Sequence, residues 1–294
     1  MRRVVATLIL VVSVMGAGVG FMAFQPLDVE TVLIDVDGDV GRGAYLARMS
    51  GCIACHTDVI GKGAPLSGGL ALKTTFGDFF TPNLTTSQLN GIGNWTVEQF
   101  AVAVRQGISP SGQPYYPSFP YAFYSGFSDQ DIADLWAAFQ TVPPVETANT
   151  PHDMRFPFGI RRGLNLWRTA FYRPSSVEPD PKKSDIWNRG KFIVEGPAHC
   201  GACHTPRNFA GARQAEQSLH GSDALPTGGK SPPITSAHLS SNGWTIKSLK
   251  FALKTGVLPD GDAFGAEMGE VVRDNTSFLT DDDLTAIATY LMER

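Results

Sequence analysis

The chain has 294 residues, of which 43% are hydrophobic and 18% charged, and its net charge is −4. The length is enough for two domains of ordinary size, and the composition excludes a globally disordered chain. It also excludes the strongly basic surface typical of nucleic-acid-binding proteins, so we expect no nucleic-acid partner. The 31 glycines and 20 prolines predict a loop-rich fold with short elements.

The first segment, residues 1–25, is a candidate targeting or anchoring element. Arg2 and Arg3 precede an apolar run of 21 residues from Val4 to Phe24. About 20 apolar residues span a bilayer as a helix, whereas a cleaved signal peptide has a shorter apolar region of about 7–15 residues. We therefore favour an apolar membrane-anchoring helix over a cleaved signal. In both cases the positive end stays inside and the rest of the chain is exported.

The rest of the chain contains one pattern twice. Four pairs of landmarks recur, with offsets of 148, 149, 149 and 152 positions: Cys52 and Cys200, Trp95 and Trp244, Gly107 and Gly256, and Ser128 and Thr280. A nearly constant offset between several landmarks indicates a duplicated domain. We place the first copy at residues 39–145 and the second at residues 183–294. A linker at residues 146–182 joins them.

Local signals predict short helices in each copy. Thr96, with a glutamine three residues later, is typical of a capping box and predicts a helix over 97–106. Gly107 and Gly256 suit the left-handed position just past a helix end. The Ser or Thr landmark opens the last helix of each copy, where apolar residues follow at helical spacing. Alternating strand patterns are scarce, so we expect two all-α domains.

The four cysteines all lie in two Cys-x-x-Cys-His pentads, a pattern typical of covalent c-type haem attachment. The thiols add to the porphyrin vinyl groups, and the histidine becomes the proximal iron ligand. A redox dithiol needs no following histidine, and a zinc site would want four ligands in one place. We therefore expect two covalently bound haems c. The predicted haem-binding residues are Cys52, Cys55 and His56 for haem 1, and Cys200, Cys203 and His204 for haem 2.

The sixth iron ligand is predicted to differ between the copies. Met268 lies twelve residues after the helix-ending glycine of its copy, in a predicted loop ahead of the last helix. A methionine there would bind the iron of haem 2 and raise its reduction potential. Phe119 stands at the corresponding position of the first copy, and phenylalanine offers iron no lone pair. Haem 1 is therefore either five-coordinate or capped by another group, such as Met154 or His152.

Five further segments carry a family resemblance. They are Thr-Pro-Asn-Leu-Thr at 81–85, Gly-Ile-Gly-Asn-Trp at 91–95, Tyr-Pro-Ser-Phe-Pro-Tyr at 116–121, Cys-His-Thr-Pro-Arg-Asn at 203–208 and Met-Gly-Glu-Val-Val at 268–272. With these segments the chain resembles the cytochrome c subunits of membrane-bound periplasmic alcohol and gluconate dehydrogenases, and shorter dihaem relatives. The resemblance covers nearly all of the chain after residue 38. It implies two tandem class-I-type cytochrome c domains after the N-terminal apolar helix.

The same resemblance implies the haem ligands given above, with Met268 capping haem 2. Two departures stand out. The dehydrogenase subunits carry three haems, whereas this sequence contains two pentads. Related chains place a methionine at the position of Phe119 or just before the last helix, at the position of Phe127, and both are phenylalanine here. The ligation of haem 1 and the identity of the dehydrogenase partner are therefore left open by the sequence.

The linker has an unusual charge pattern, because residues 155–173 contain five arginines and no Asp or Glu. One interpretation is an amphipathic helix that contacts a partner or a membrane. The other is a strap that packs between the domains while its arginines face haem propionates, since guanidinium pairs with carboxylate in bidentate geometry. We favour the strap. Trp95 and Trp244 are interpreted as core or haem-wall residues.

Together these features predict a dihaem electron-transfer protein, anchored to the cytoplasmic membrane with both haem domains in the periplasm. Its expected partners are a dehydrogenase subunit or quinone-linked donor, and a terminal oxidase or soluble cytochrome. The alternative is a haem enzyme, such as a peroxidase or an oxidoreductase of small sulfur compounds, that uses an open haem 1. No Ser/His/Asp or paired-carboxylate pattern stands out, so an electron-transfer subunit is favoured over a self-standing enzyme.

Overall fold

The computed structural model describes Thr7, residues 27–175 and residues 177–294. Eleven α-helices lie in these residues: α1 (Val40–Met49), α2 (Cys52–Cys55), α3 (Val97–Gln106), α4 (Tyr121–Tyr124), α5 (Asp129–Gln140), α6 (Gly163–Phe171), α7 (Asp185–Glu195), α8 (Ser236–Ser241), α9 (Ile246–Thr255), α10 (Ala266–Asp274) and α11 (Asp281–Glu293). Three 3-10 turns lie at Cys200–Ala202, Ala215–Gln217 and Thr276–Phe278. The protein is therefore mainly helical, as predicted.

The predicted N-terminal anchor, residues 1–25, lies outside the described residues except for Thr7. Within the described part of the chain, no helix is long and apolar enough to cross a membrane. The anchor therefore stays a prediction that rests on the sequence.

The helix signals of the sequence are confirmed. The helix α3 covers Val97–Gln106, and the side chains of Thr96 and Gln99 form the predicted capping box at its start. Gly107 and Gly256 end α3 and α9 in the left-handed region, with φ of 64° and 81°. The last helix of each copy, α5 or α11, begins directly after the predicted Ser or Thr cap.

The first and last helices of each copy meet at a glycine. A Cβ atom at Gly43 in α1 would overlap the backbone carbonyl of Asp134 in α5. In the second copy, a Cβ atom at Gly190 in α7 would overlap the carbonyl of Ala286 in α11. Because glycine carries no side chain, the two helix backbones can approach this closely. The same helix pair is thus built twice.

The prediction of an all-α fold is wrong for one small antiparallel sheet. The strands β1 (Ala71–Thr74) and β2 (Gly77–Phe80) form a hairpin, and β3 (Asp153–Met154) pairs with β2 in the order β1-β2-β3. Strands of two to four residues are too short to show an alternating apolar pattern, so periodicity does not reveal them. Gly77 has φ of 132°, which glycine tolerates in the tight turn of the hairpin.

The hydrophobic core continues between the two copies. One cluster of buried side chains includes Leu46, Phe100 and Ile132 from the first copy, and Ile193, Leu253 and Leu284 from the second. A smaller cluster at the sheet consists of Phe79, Tyr116 and Leu164. Because this cluster includes residues of both copies, the two cores are not separate. The division into two domains therefore stays a prediction.

The arginine-rich part of the linker packs against the protein. The Trp167 indole donates from Nε1 to the carbonyl oxygen of Ala210 at 2.8 Å. Arg168 donates from Nη2 to the carbonyl oxygen of Gln106 at 2.8 Å. These two contacts tie α6 to the second and the first copy respectively. They support the interpretation of residues 155–173 as a strap.

Candidate haem sites

The first pentad lies on one turn of helix. The backbone N–H of Cys55 donates to the carbonyl of Gly51, and that of His56 donates to the carbonyl of Cys52, each at 2.9 Å. Cys52, Cys55 and His56 all border the same cavity. This turn therefore brings two thiols and one imidazole to one wall, as covalent haem attachment requires.

The second pentad and the loop after it repeat this arrangement. A 3-10 turn begins at Cys200, and the His204 N–H donates to the Cys200 carbonyl at 3.0 Å. In the loops that follow, the Gly68 N–H donates to the His56 carbonyl and the Gly221 N–H to the His204 carbonyl, each at 2.8 Å. The two sites are thus built alike, from the pentad into the loop that follows it.

Each pentad histidine is held by a proline carbonyl. His56 Nδ1 lies 2.7 Å from the carbonyl oxygen of Pro82, and His204 Nδ1 lies 2.8 Å from that of Pro232. A carbonyl only accepts hydrogen bonds, so the proton is on Nδ1 and the Nε2 lone pair is left for a metal. Burial lowers the pKa of His56 to about 4 and also lowers that of His204. Both rings are therefore neutral at pH 7, as iron ligation requires.

The first site opens into a cavity of about 410 Å³, within the range of about 300–1,000 Å³ common for ligand pockets. Its wall is largely apolar and includes Leu72, Phe79, Ile92, Trp95, Phe100 and Phe139. The place of Trp95 in this wall is the one predicted from the sequence. A large apolar macrocycle fits this space, and the two thiols and the imidazole at its edge fit a haem held covalently.

The groups considered as sixth ligands of haem 1 lie in different places. Phe119 borders the cavity, and no methionine of the described residues does so. Met154 packs against the smaller cluster at the sheet instead. His152 borders the cavity, but its Nδ1 accepts a hydrogen bond from the Phe80 N–H at 3.2 Å. Burial lowers the pKa of His152, so the ring is neutral and its one proton lies on Nε2. Its Nε2 in this tautomer is a donor without a free lone pair.

The structure corrects the surroundings of Met268. The sequence predicts a loop there, whereas Met268 lies in the first turn of α10, half-buried against the core. The segment Ala266–Asp274 has no proline and contains several good helix formers, so a short helix forms before the 3-10 turn. Met268 thus remains in the second copy as a thioether carried by a regular element.

Two residues at the first cavity were not singled out as individual site residues in the sequence. Arg161 reaches it from the strap, and His199 reaches it from the second copy. The strap arginines were predicted only as a group. One signal for His199 is present in the repeat, because a histidine precedes Cys200 where a glycine precedes Cys52. Sequence spacing alone does not reveal that His199 borders the cavity of the other copy.

The two pentads lie close to each other. A Cβ atom built on Gly51, directly before Cys52, would lie 3.6 Å from Nε2 of His199, directly before Cys200, so the two attachment segments are adjacent. Burial raises the pKa of the Cys55 thiol. Burial also raises the pKa of Cys52 and of Cys200 to about 12. All these thiols are therefore neutral at pH 7. The structure thus brings two attachment segments together that are far apart in the sequence.

Comparison with known proteins shows relatives over most of the chain, although no protein-family model matches it. A protein of Cereibacter sphaeroides named "Diheme cytochrome c-type" is 40% identical over 99% of this chain and 98% of its own length. The fructose dehydrogenase cytochrome subunit of Gluconobacter japonicus is 39% identical over 86% of this chain and 52% of its own length.

The gluconate 2-dehydrogenase cytochrome c subunit of Pantoea cypripedii is 36% identical over 87% of this chain and 59% of its own length. The chain thus spans a little over half the length of these dehydrogenase subunits, and nearly all of the dihaem relative. The resemblance stated from the sequence is confirmed, and the protein carries two covalently bound haems c. The identity over both full lengths places the chain in the family of dihaem c-type cytochromes.

Proposed function

We propose that this protein is a dihaem electron carrier anchored on the periplasmic side of the cytoplasmic membrane. It takes electrons from a dehydrogenase or a quinone-linked donor and passes them to an oxidase or a soluble cytochrome. The observation that carries the proposal is the pair of adjacent Cys-x-x-Cys-His segments in a c-type cytochrome. Two adjacent redox centres allow an electron to enter at one surface and leave at another.

The proposal assigns a role to each predicted site residue. Cys52 and Cys55 hold haem 1 with His56 as proximal ligand, Cys200 and Cys203 hold haem 2 with His204 as proximal ligand, and Met268 is the distal ligand of haem 2. A bound haem supplies an iron that is reduced and reoxidised by one electron. Apolar side chains line the first cavity and would exclude water from a haem there, and the carbonyls of Pro82 and Pro232 orient the proximal rings.

Arg161 is proposed to face the propionates of haem 1. It borders the cavity, and its hydrogen bond to the Pro114 carbonyl at 3.1 Å uses a single donor of the guanidinium group. Arg161 and His152 both pack against Tyr116, since Cζ of Arg161 lies 5.1 Å from the centre of the tyrosine ring and the His152 ring lies 5.6 Å from it. Together they form a cationic and a neutral donor at the cavity, which suits a carboxylate.

Two separate observations support the proposed partner and location. The relatives named as dehydrogenase cytochrome subunits support a dehydrogenase as electron donor. The apolar run Val4 to Phe24 behind Arg2 and Arg3 supports an anchor that exports the haem domains to the periplasm. An exported location also suits covalent haem attachment to paired cysteines.

The experiment uses membrane vesicles from cells that produce the full chain, and matched vesicles from cells that lack it. Gluconate, ethanol or fructose is added in turn, and reduction of the c-type haems is followed by their visible absorption. At least one substrate should reduce both haems in the first vesicles only. The proposal is wrong if all three leave the haems oxidised while dithionite reduces them.

A second candidate function is a haem enzyme with an open haem 1, such as a peroxidase or an oxidoreductase of small sulfur compounds. The observation that favours it is Phe119 at the cavity, together with the lack of a lining methionine among the described residues. An open iron predicts fast binding of carbon monoxide to one haem per chain. Turnover of peroxide or of a small sulfur compound above the rate of free haem would then favour the enzyme. Fast binding without such turnover would favour the electron-carrier function.

A further inference from the structure

His199 holds a backbone conformation that side chains normally avoid. It has φ of 37° and ψ of 40°, in the left-handed region, directly before Cys200. Gly51 stands at the corresponding place before Cys52, with φ of 71° and ψ of 8°. Glycine adopts this region without steric cost, whereas histidine does not. The fold thus places a residue in the left-handed region at both positions. In the second copy this residue is His199, which is strained there.

The imidazole of His199 is packed between the two copies. Its ring centroid lies 6.0 Å from that of Phe123 and 6.0 Å from that of Tyr124. The Tyr124 hydroxyl donates to the carbonyl of Ser50 at 2.7 Å, so this tyrosine is fixed to the start of the first pentad. Burial lowers the pKa of His199 to about 4, while the carbonyls of His199 itself and of Ser50 oppose the shift. The ring is therefore neutral at pH 7.

The two left-handed positions face each other across this contact. A Cβ atom built on Gly51 would lie 3.6 Å from Nε2 of His199. His199 is covalently joined to Cys200, and Gly51 is covalently joined to Cys52. The His199 imidazole therefore lies directly beside the residue that precedes the first attachment cysteine, while its own backbone precedes the second. Coupling between distant sites is carried by such chains of bonded and packed groups.

We propose that the His199 imidazole joins the two haem sites and sets the rate at which an electron passes between them. This inference rests on the proposed electron-carrier function. In the step, one haem iron is oxidised and the other is reduced by one electron, and no bond forms or breaks. The imidazole is neither oxidised nor protonated. His199 acts as a positioning residue, since it bridges the two centres and holds their attachment segments in contact.

Backbone strain supports a function for the ring itself. A glycine at residue 199 would match the first copy and remove the strain. The formation of the turn alone therefore does not explain why residue 199 is histidine. Strained conformations persist where the surrounding structure enforces them, and they cluster at functional sites. The ring also borders the cavity of the other copy, where a glycine would leave a gap between the two sites.

The test compares His199→Gly and His199→Asn with the unmodified full-length dihaem protein. Glycine and asparagine both tolerate the left-handed region. Glycine has no side chain and that of asparagine is shorter than that of histidine, so neither reaches Gly51 as the imidazole does. One electron is injected by a light pulse into the oxidised protein, and equilibration between the haems is followed by their visible bands. In both variants the rate of electron equilibration between the haems should be severalfold lower than in the unmodified protein. The two haem potentials are titrated, so that rates are compared at equal driving force.

Lys62→Gly is the matched control. Lys62 is an exposed residue with φ of 55°, so this change relieves the same kind of strain away from the contact. Amide hydrogen exchange at residues 50–52 should rise in the two His199 variants and stay unchanged in the control. Either His199 variant with two haems and an unchanged rate at equal driving force overturns the inference. Because the electron is injected by light, a failure of the dehydrogenase to reduce the protein bears on the proposed function alone.

Discussion

Arg189 and Asp283 form a two-point ion pair, with Nε 2.7 Å from Oδ1 and Nη2 2.9 Å from Oδ2. Arg42 and Asp134 form the same pair in the first copy, at 2.7 and 2.9 Å. Each pair ties the first helix of its copy to the last one. The Tyr45 hydroxyl, from the first copy, also donates to Asp283 at 2.7 Å. The second pair therefore lies at the contact between the copies as well.

The first prediction concerns Asp283→Asn, which should lower the free energy of unfolding by about 2 kcal/mol at pH 7, because charged hydrogen bonds are lost. Burial acts to raise the pKa of Asp283, but hydrogen bonds from Arg189 and Tyr45 outweigh it and lower the pKa below its usual 3.8. A lowered folded-state pKa stabilises the protein above the unfolded-state value. This stabilisation is lost as the pH falls through the folded-state pKa.

Urea unfolding of the haem-loaded protein at pH 7 and at successively lower pH measures this difference. Asp282→Asn is the control, because Asp282 lies in the same first turn of α11 but is exposed. The control should show a much smaller change at pH 7. A difference for Asp283→Asn that stays constant down to acid pH would contradict the assigned ion pair.

The second prediction is that each pentad holds one haem. Cys52→Ala and Cys200→Ala should each interrupt one pair of thioether bonds and leave the other pentad intact. The pyridine haemochrome assay on denatured, acid-extracted protein measures covalent haem. The unmodified protein should give two c-type haems per chain with both vinyl groups saturated. A variant that keeps that spectrum unchanged would show that the replaced cysteine does not attach haem.

The third prediction concerns Met268→Ala. Loss of the thioether should lower the reduction potential of one haem and leave the other unchanged, because a methionine ligand favours ferrous iron. The charge-transfer band of the thioether–iron bond should disappear for that haem. Met292→Ala serves as the control, since Met292 is also a partly buried methionine packed on the core. If Met268→Ala behaves like this control, Met268 is not an iron ligand.

The fourth prediction is that haem 1 is the unusual centre. Phe119 borders the cavity and has no lone pair, and the neutral His152 presents no free lone pair at Nε2. Electron paramagnetic resonance of the oxidised protein should therefore show one high-spin ferric haem of two. Phe119→Met should convert that signal into a low-spin His/Met centre, because a soft ligand enters the same position.

His152→Ala is the companion to this measurement. It should leave the high-spin signal in place if His152 acts as a donor and not as an iron ligand. Two low-spin His/Met centres in the unmodified protein would refute the five-coordinate assignment of haem 1. In that case a methionine from outside the described cavity wall would have to reach the iron.

The sequence alone predicted the haem attachment, several helix ends and the duplication, because each of these depends on neighbouring residues or on a repeated spacing. The pentads predicted two covalent haems, because thiol and imidazole groups at that spacing lie within one turn whatever surrounds them. The capping residue Thr96 and the glycines Gly107 and Gly256 predicted helix ends, since their hydrogen bonds and backbone angles involve only neighbouring residues. The duplication was visible because the landmarks kept a nearly constant offset.

Only the tertiary structure decided which distant groups meet at these sites. The apolar periodicity of the sequence did not predict the small sheet, because its strands have two to four residues and one of them lies in the linker. The His199 contact with the first cavity depends on how the two copies pack, which no local signal encodes. The same holds for the places of His152, which borders that cavity, and Met154, which packs at the sheet instead. Contacts between residues far apart in sequence are set by the packing of the whole chain, and this packing decided how the two haem sites are joined.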